Sequence, residues 1–235
     1  MTLKLTSSID NLNNQFISAV KNHLHHLKRF SEPALEWLMI EHYQFSLRNT
    51  QFLSTAANTT RLFKEQGVFQ ELQRNFDEEK NHAAIYKKSL AEIGTDVDKR
   101  LEFRPTTEFF DAISNLIAIC PSSTLGAVYA TETAAIFEHE VFLDISHEVV
   151  QRRAMQWEKS RLKAFHDMHL NGVEQGHKDG LGMFVDRAQE DNYSSSEEMN
   201  REQFIRKNNV LSGAKQAIDA MVVWWNALLK QAERI

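Results

Sequence analysis

Cysteine, proline and glycine are all scarce in this chain: one, three and eight among 235 residues. A single thiol, Cys120, excludes an internal disulfide and fits a reducing compartment. So few turn-forming residues argue against a sandwich or barrel and for an all-α protein. Dense Lys/Arg runs are missing too. With a net charge of −5, nothing favours nucleic acid as a partner, and the one basic cluster, Lys21 to Phe30, reads as the solvated end of a helix. No stretch approaches the ~18 consecutive apolar residues of a membrane span, and MTLKLTSSIDNL at the start lacks the apolar core of a signal peptide. The expectation is a cytoplasmic helical protein with one domain over residues 1–235.

What is present is helical periodicity, enough for about seven helices. Leu12, Phe16, Val20, Leu24 and Leu27 recur at helical spacing over residues 8–29, with Ser7, Ser8 and Asp10 as candidate caps. Ser31, Glu32 and Pro33 form the start of a second helix. A third spans 60–93 and stops at Gly94. Thr106 and Thr107 can cap a fourth after Pro105, and Pro121 with Ser122 and Ser123 opens a fifth. A sixth covers 151–186. After a polar loop, QEDNYSSSEEMN, the last runs over 201–233.

Two Glu-x-x-His pairs carry the chemistry: Glu79 with His82, and Glu174 with His177. Residues three apart share a helix face, so each pair can aim a carboxylate oxygen and an imidazole nitrogen at one point. One such pair is expected by chance among 32 acidic residues and 10 histidines; two on separate helices point to metal. Carboxylates with imidazoles suit iron or manganese, whereas structural zinc usually recruits cysteine. A dinuclear site also needs glutamates from other helices. Glu132 qualifies, because its neighbours Leu125, Val128, Tyr129, Ala135 and Ile136 are mostly apolar and a carboxylate there must be paired or metal-bound. Glu41 on the second helix is equally readable as ligand or solvated face. His169 offers another nitrogen two turns before His177. Glu78 could replace Glu79; His139 and His166 stay open; His23, His25, His26 and His147 read as surface residues. Tyr43, Tyr86 and Tyr129 read as packing residues near the site, and Arg48, Arg161 and Lys163 as surface charges rather than partners of a substrate carboxylate.

These stretches resemble a known family. NFDEEKNHAAIYKKSLAEIG (residues 75–94) is similar to the second ligand helix of the heme-oxygenase-like di-iron oxidases and oxygenases, the CADD-like group. GAVYATE (126–132) resembles their Ala-x-Tyr-Ala-x-Glu segment, and HLNGVEQGH (169–177) their final His-x-x-x-Asp-x-x-His cluster. The resemblance implies a heme-oxygenase-like helical bundle and a metal-ligand set of Glu79, His82, Glu132, His169, Glu174 and His177, with no further catalytic residue singled out. It implies two iron ions, manganese being the alternative, and O2-dependent oxidation of a small amino-acid- or fatty-acid-derived substrate. An external electron donor and a second copy of the chain are further candidate partners; nucleic acid and membrane are not.

Three departures matter. Asn75 stands where many members carry glutamate, Glu174 stands where aspartate is usual, and one extra residue separates His169 from Glu174. That insertion predicts a π-bulge near Gly172. Four of the eight glycines lie at 172, 176, 180 and 182, so this helix is also expected to be the least ordered part of the site, tightening when metal binds.

Rival readings remain. A ferritin-like four-helix bundle is matched by Glu41, Glu79/His82, Glu132 and Glu174/His177. A metal-free helical binding protein would keep the shell with its histidines merely buried. Thiaminase-like chemistry would need Cys120 in the pocket, where its place beside Pro121 at a helix junction puts it poorly. Heme degradation would rest on His42 as axial ligand.

Overall fold

The three prolines sit in the first turns of helices as expected, but of the expected side-chain caps only Ser31 is one. The computed structural model describes residues 4–188 and 203–235, so the polar loop expected at 189–200 lies outside the described residues. Ser31 accepts a hydrogen bond from the Ala34 amide at 3.0 Å, and with Pro33 in the first turn it opens α2 (Glu32–Thr60). Pro121 opens α6 (Pro121–Arg152), though the cap is the thiol of Cys120 rather than a serine. In α5 (Arg104–Leu116) Pro105 again sits in the first turn, but Thr106 is not the cap: its hydroxyl donates to the buried carboxylate of Glu41.

Other boundaries move for visible reasons. The first helix, α1 (Leu5–Leu24), starts ahead of its expected caps, because Asp10 faces inward across the bundle, accepting from the Tyr129 hydroxyl at 2.9 Å and pairing with Lys178 at 3.0 Å. The third expected helix divides into α3 (Gly67–Glu79) and α4 (His82–Glu92). The long sixth one is interrupted after α6 by Ala154, held at φ 53°. The chain resumes with α7 (Arg161–Met168), capped by Ser160, passes through a π-helical segment (His169–Val173), and continues as α8 (Glu174–Val185). The last helix, α9 (Lys207–Ala232), begins six residues later than expected. Taking α3 with α4, and α7 with α8, the described residues form seven helical rods and no strand.

Helix α6 is the axis of the bundle. It is apolar nearly all round and buried along most of its length, which is the pattern of a helix surrounded by others. Helices α1, α2, α7, α8 and α9 pack around it. Its contact with α9 is closest where Gly126 meets the Val210 carbonyl and Gly213 meets that of Ser123. Beside it Trp224 and Trp225 of α9 are fully buried, and their indole N–H groups donate to Thr106 and Glu138, both at 2.9 Å. Burial pushes the Glu138 carboxyl up to about 7, against the lowering effect of that indole bond. No helix among the described residues is long and apolar enough to cross a membrane.

Candidate metal centre

Five short stretches bring carboxylates and imidazoles together in the interior. Glu78 and Glu79 come from the end of α3, His82 from the start of α4, and Glu132 and His139 from the middle of α6. His169 opens the π segment, and Glu174 and His177 lie in the first turns of α8. The six residues expected as ligands are all buried.

The first Glu-x-x-His pair spans a helix junction rather than one continuous helix. Lys80 and Asn81 keep right-handed helical angles there, so the pair stays on one face and Glu79 Oε1 lies 2.8 Å from His82 Nδ1. That approach is not aligned as a hydrogen bond, and Glu79 Oε1 is a buried oxygen with no hydrogen-bond partner. Asn75, one turn earlier on the same stripe, is also fully buried with neither amide atom bonded. Across from Glu79, His169 Nε2 lies 3.0 Å from His82 Nδ1 and 4.0 Å from Glu79 Oε1. Glu174 joins this group to the second pair: Oε1 is 3.9 Å from His169 Nε2 and Oε2 is 3.7 Å from His177 Nδ1. Glu132 Oε2 lies 3.0 Å from the same His177 nitrogen.

Hydrogen bonds on the far side of the His139, His169 and His177 rings decide which nitrogen faces inward. His169 Nδ1–H donates to the Phe165 carbonyl at 2.8 Å, leaving Nε2 bare toward His82. His177 Nε2–H donates to Glu78 at 2.9 Å, directing Nδ1 at Glu132 and Glu174. A longer chain orients His139. Ser146 donates to the Met39 sulfur and accepts from His166 Nε2–H, so His166 Nδ1 accepts from His139 Nδ1–H at 3.2 Å. That leaves His139 Nε2 as a bare nitrogen 3.5 Å from Glu174 Oε1, its ring stacked on His169 at 3.9 Å.

Burial is the largest influence on the titratable groups of the cluster. Burial pushes Glu174 up to about 7, aided by repulsion from Glu132 and Glu79, while the nearby His177 works the other way. Burial alone would lower His177, but its bond to Glu132 and the nearby Glu174 carboxylate raise it to about 11. Burial holds His169 down to about 4 despite Glu79, and keeps His139 and His166 well below the usual histidine range.

Three groups of donor atoms, Glu79/His82/His169, His139/His169/Glu174 and Glu79/Glu174/His177, each lie within 4.8 Å of one another. With Glu79 Oε1 unbonded and only nitrogen and oxygen donors present, the residues fit a hard-to-borderline divalent ion such as iron or manganese.

Glu41 is not part of this cluster. It receives two hydrogen bonds from Arg100, at 2.7 and 3.0 Å, and one from Thr106. The ferritin-like arrangement, which needs Glu41 beside the two pairs, is therefore not the one the chain adopts. Its neighbour His42 points inward, 3.3 Å from the Tyr86 hydroxyl and stacked on Phe142, and burial lowers it to about 3 with help from His169. Tyr86 stacks on Phe165 and Tyr129 bonds to Asp10, both as packing residues. Arg161 pairs with Glu92, Lys163 with Asp167, and Arg48 lies over the rings of Phe52 and Phe110. His139, His166 and Glu78 carried only a weak sequence signal, since each is one histidine or glutamate among many until the fold places it.

The expected π-bulge is present. Departure from helical angles is confined to Asn171 and Gly172, with Gly172 at φ 116°, while Gly176, Gly180 and Gly182 lie in regular α8. The bulge absorbs the extra residue and lets His169 and Glu174 face the same space. Changing Gly172 to alanine is expected to cost about 1–3 kcal/mol, because a side chain at this φ is strained whatever the room around it. Urea unfolding would measure it, and an unchanged midpoint would show that the bulge re-forms without glycine.

No family model matches the chain, and neither does any curated protein sequence. Solved structures do. A CADD-like protein of unknown function from Nostoc punctiforme has a TM-score of 0.74 at 23% identity, covering 96% of this chain and 99% of that one. A domain of unknown function with a heme oxygenase-like fold from Shewanella denitrificans scores 0.68 at 12% identity, covering 98% and 94%. A TenA homolog from Pseudomonas syringae pv. tomato also scores 0.68, at 14% identity, covering 95% and 92%. The chain has the heme-oxygenase-like fold.

Proposed function

We propose that this chain is a non-heme dinuclear iron oxidase or oxygenase that uses O2 on a small amino-acid- or fatty-acid-derived substrate. The observation that carries the reading is the buried convergence of Glu79, His82, Glu132, His169, Glu174 and His177, joined by His139. Glu79, His82 and His169 would hold one ion and Glu132, Glu174 and His177 the other, with Glu174 reaching both groups and His139 adding a nitrogen beside it. Two ferrous ions would supply the electrons with which dioxygen is reduced.

The chain's own groups do the rest. Phe165 packs against His139 and His169, with Tyr86 stacked on its outer face, and covers this side of the cluster with apolar rings. The Phe165 carbonyl, Glu78 and the His166–Ser146 chain fix the imidazole orientations. A thiol-based, thiaminase-like reaction is disfavoured, because Cys120 caps α6 twelve residues before Glu132, about 18 Å along the helix.

Metal analysis tests the proposal. Protein purified anaerobically and reconstituted with ferrous iron is expected to hold about two irons per chain, and the irons are expected to be lost on changing Glu132 or His177 to alanine. Loading should also release protons. His177, raised to about 11, is protonated at neutral pH and must lose its Nδ1 proton to bind an ion, so affinity is expected to rise with pH. A chain that binds no metal and consumes no O2 under any of these conditions overturns the reading.

A further inference from the structure

The cluster is sealed from solvent at every residue but one. The side chains of His82, Glu79, Glu132, His139, His169, Glu174 and His177 are at most 10% exposed, whereas that of Glu78 is 41% exposed. Glu78 therefore touches bulk water with one part and a buried histidine with another: its Oε2 accepts from His177 Nε2 at 2.9 Å. Just behind His177 lies the rest of the cluster, where Glu79 Oε1 is buried and unbonded.

Arg74, one turn before Glu78 on α3, holds the other end of this carboxylate. Its Nη1 donates to Glu78 Oε1 at 2.8 Å. The rest of the guanidinium is shared between the Glu71 carboxylate and, at 3.4 Å, the Gly176 carbonyl of α8. Glu71 in turn rests against α8 at Gly180, where any Cβ would overlap its carboxylate. The result is a strap across the α3–α8 seam, Glu71–Arg74–Glu78, that ends on His177. Arg74 and His177 together keep Glu78 below the usual carboxylate range, against the opposing effect of its partial burial.

We infer that Glu78 and Arg74 form the port through which a divalent cation reaches the buried centre. A hydrated ion sheds its waters reluctantly, and an exposed carboxylate can replace them one at a time. Glu78 is the group placed to do this, because a partly exposed side chain changes rotamer cheaply while its buried neighbours cannot. Arg74 occupies the cation position at rest; the arriving ion takes over its role toward Glu78 and Glu71, and Arg74 swings to solvent. Once the ion has passed to His177 and Glu132, Glu78 returns to the His177 Nε2–H. Gly180 fits the same account, since the strap can lie flat on α8 only where no side chain intervenes.

This inference rests on the dinuclear reading, and the test separates the two. Metal-free protein is mixed with Co2+ in a stopped-flow instrument and loading is followed by visible absorbance, then by metal content at equilibrium. Glu78→Gln keeps an acceptor for His177 but removes the charge; loading is expected to slow at least tenfold while the final metal content stays at the wild-type value. Arg74→Met unlatches the port and is expected to speed loading. If both variants load at the wild-type rate, the port is wrong and the centre stands. If Glu78→Gln lowers the final content, Glu78 helps to hold the ion, directly or through His177, and is not a port. A wild-type chain that takes up no Co2+ removes the centre and the port together.

Discussion

Replacing Glu174 by glutamine is expected to leave at most one tightly bound ion per chain and to weaken affinity for the second at least about a hundredfold. The two oxygens of Glu174 face different halves of the cluster, Oε1 toward His139 and His169 and Oε2 toward His177. Metal-free stability should move the opposite way. Burial raises the Glu174 carboxyl to about 7, above its unfolded value, so the penalty it imposes on the fold is absent in acid, grows as pH rises, and is complete above the folded value. The glutamine variant should therefore melt higher than the wild type at pH 8 without metal, about equal to it at pH 5, and lower once metal is added. Thermal melts at the two pH values, with and without iron, check all three. A variant that binds two ions normally would show that Glu174 does not link them.

The largest loss of stability is expected from Gly126→Ala, a change of one methyl group at a residue outside the proposed metal-ligand set. A Cβ at Gly126 would overlap the backbone carbonyl of Val210, and one at Gly213 would overlap that of Ser123. These are backbone atoms of packed helices, so no rotamer change relieves the overlap and α6 and α9 must separate. Overpacking usually costs ~1–3 kcal/mol, and a clash with backbone belongs at or above the top of that range. At roughly 2–4 °C per kcal/mol for a domain of this size, the melting point should fall by about 6–12 °C. Because α6 carries Glu132 and His139, metal affinity should fall with it. A melt within 2 °C of the wild type would mean that the α6–α9 crossing is looser than the structure has it.

The helical class, the pairs at i and i+3, and the π-bulge were all legible in the chain itself, and for one reason: each depends on neighbours within a turn or two. Helical spacing puts Glu174 and His177 on one face wherever that helix packs. An extra residue between His169 and Glu174, followed by glycine, must be absorbed locally, and it is. The helix break at Lys80 and Asn81 was not legible, since the periodicity runs through it unchanged.

What lay beyond the sequence was rotation about the helix axes. Glu41 and His42 are consecutive, about 100° apart around α2; packing turns the first toward Arg100 and Thr106 and the second toward Tyr86 and the histidines. Nothing local distinguishes His139 from a surface histidine until α6 becomes the buried axis and sets it beside Glu174. The same holds for Glu78, which points at His177 only because α3 lies along α8. Sequence alone determined an all-α chain with two carboxylate–imidazole pairs at i and i+3 and a bulged helix, because short-range geometry is written into residue spacing. Only the tertiary structure decided which carboxylates and imidazoles meet, because that depends on how whole helices turn to bury their apolar faces.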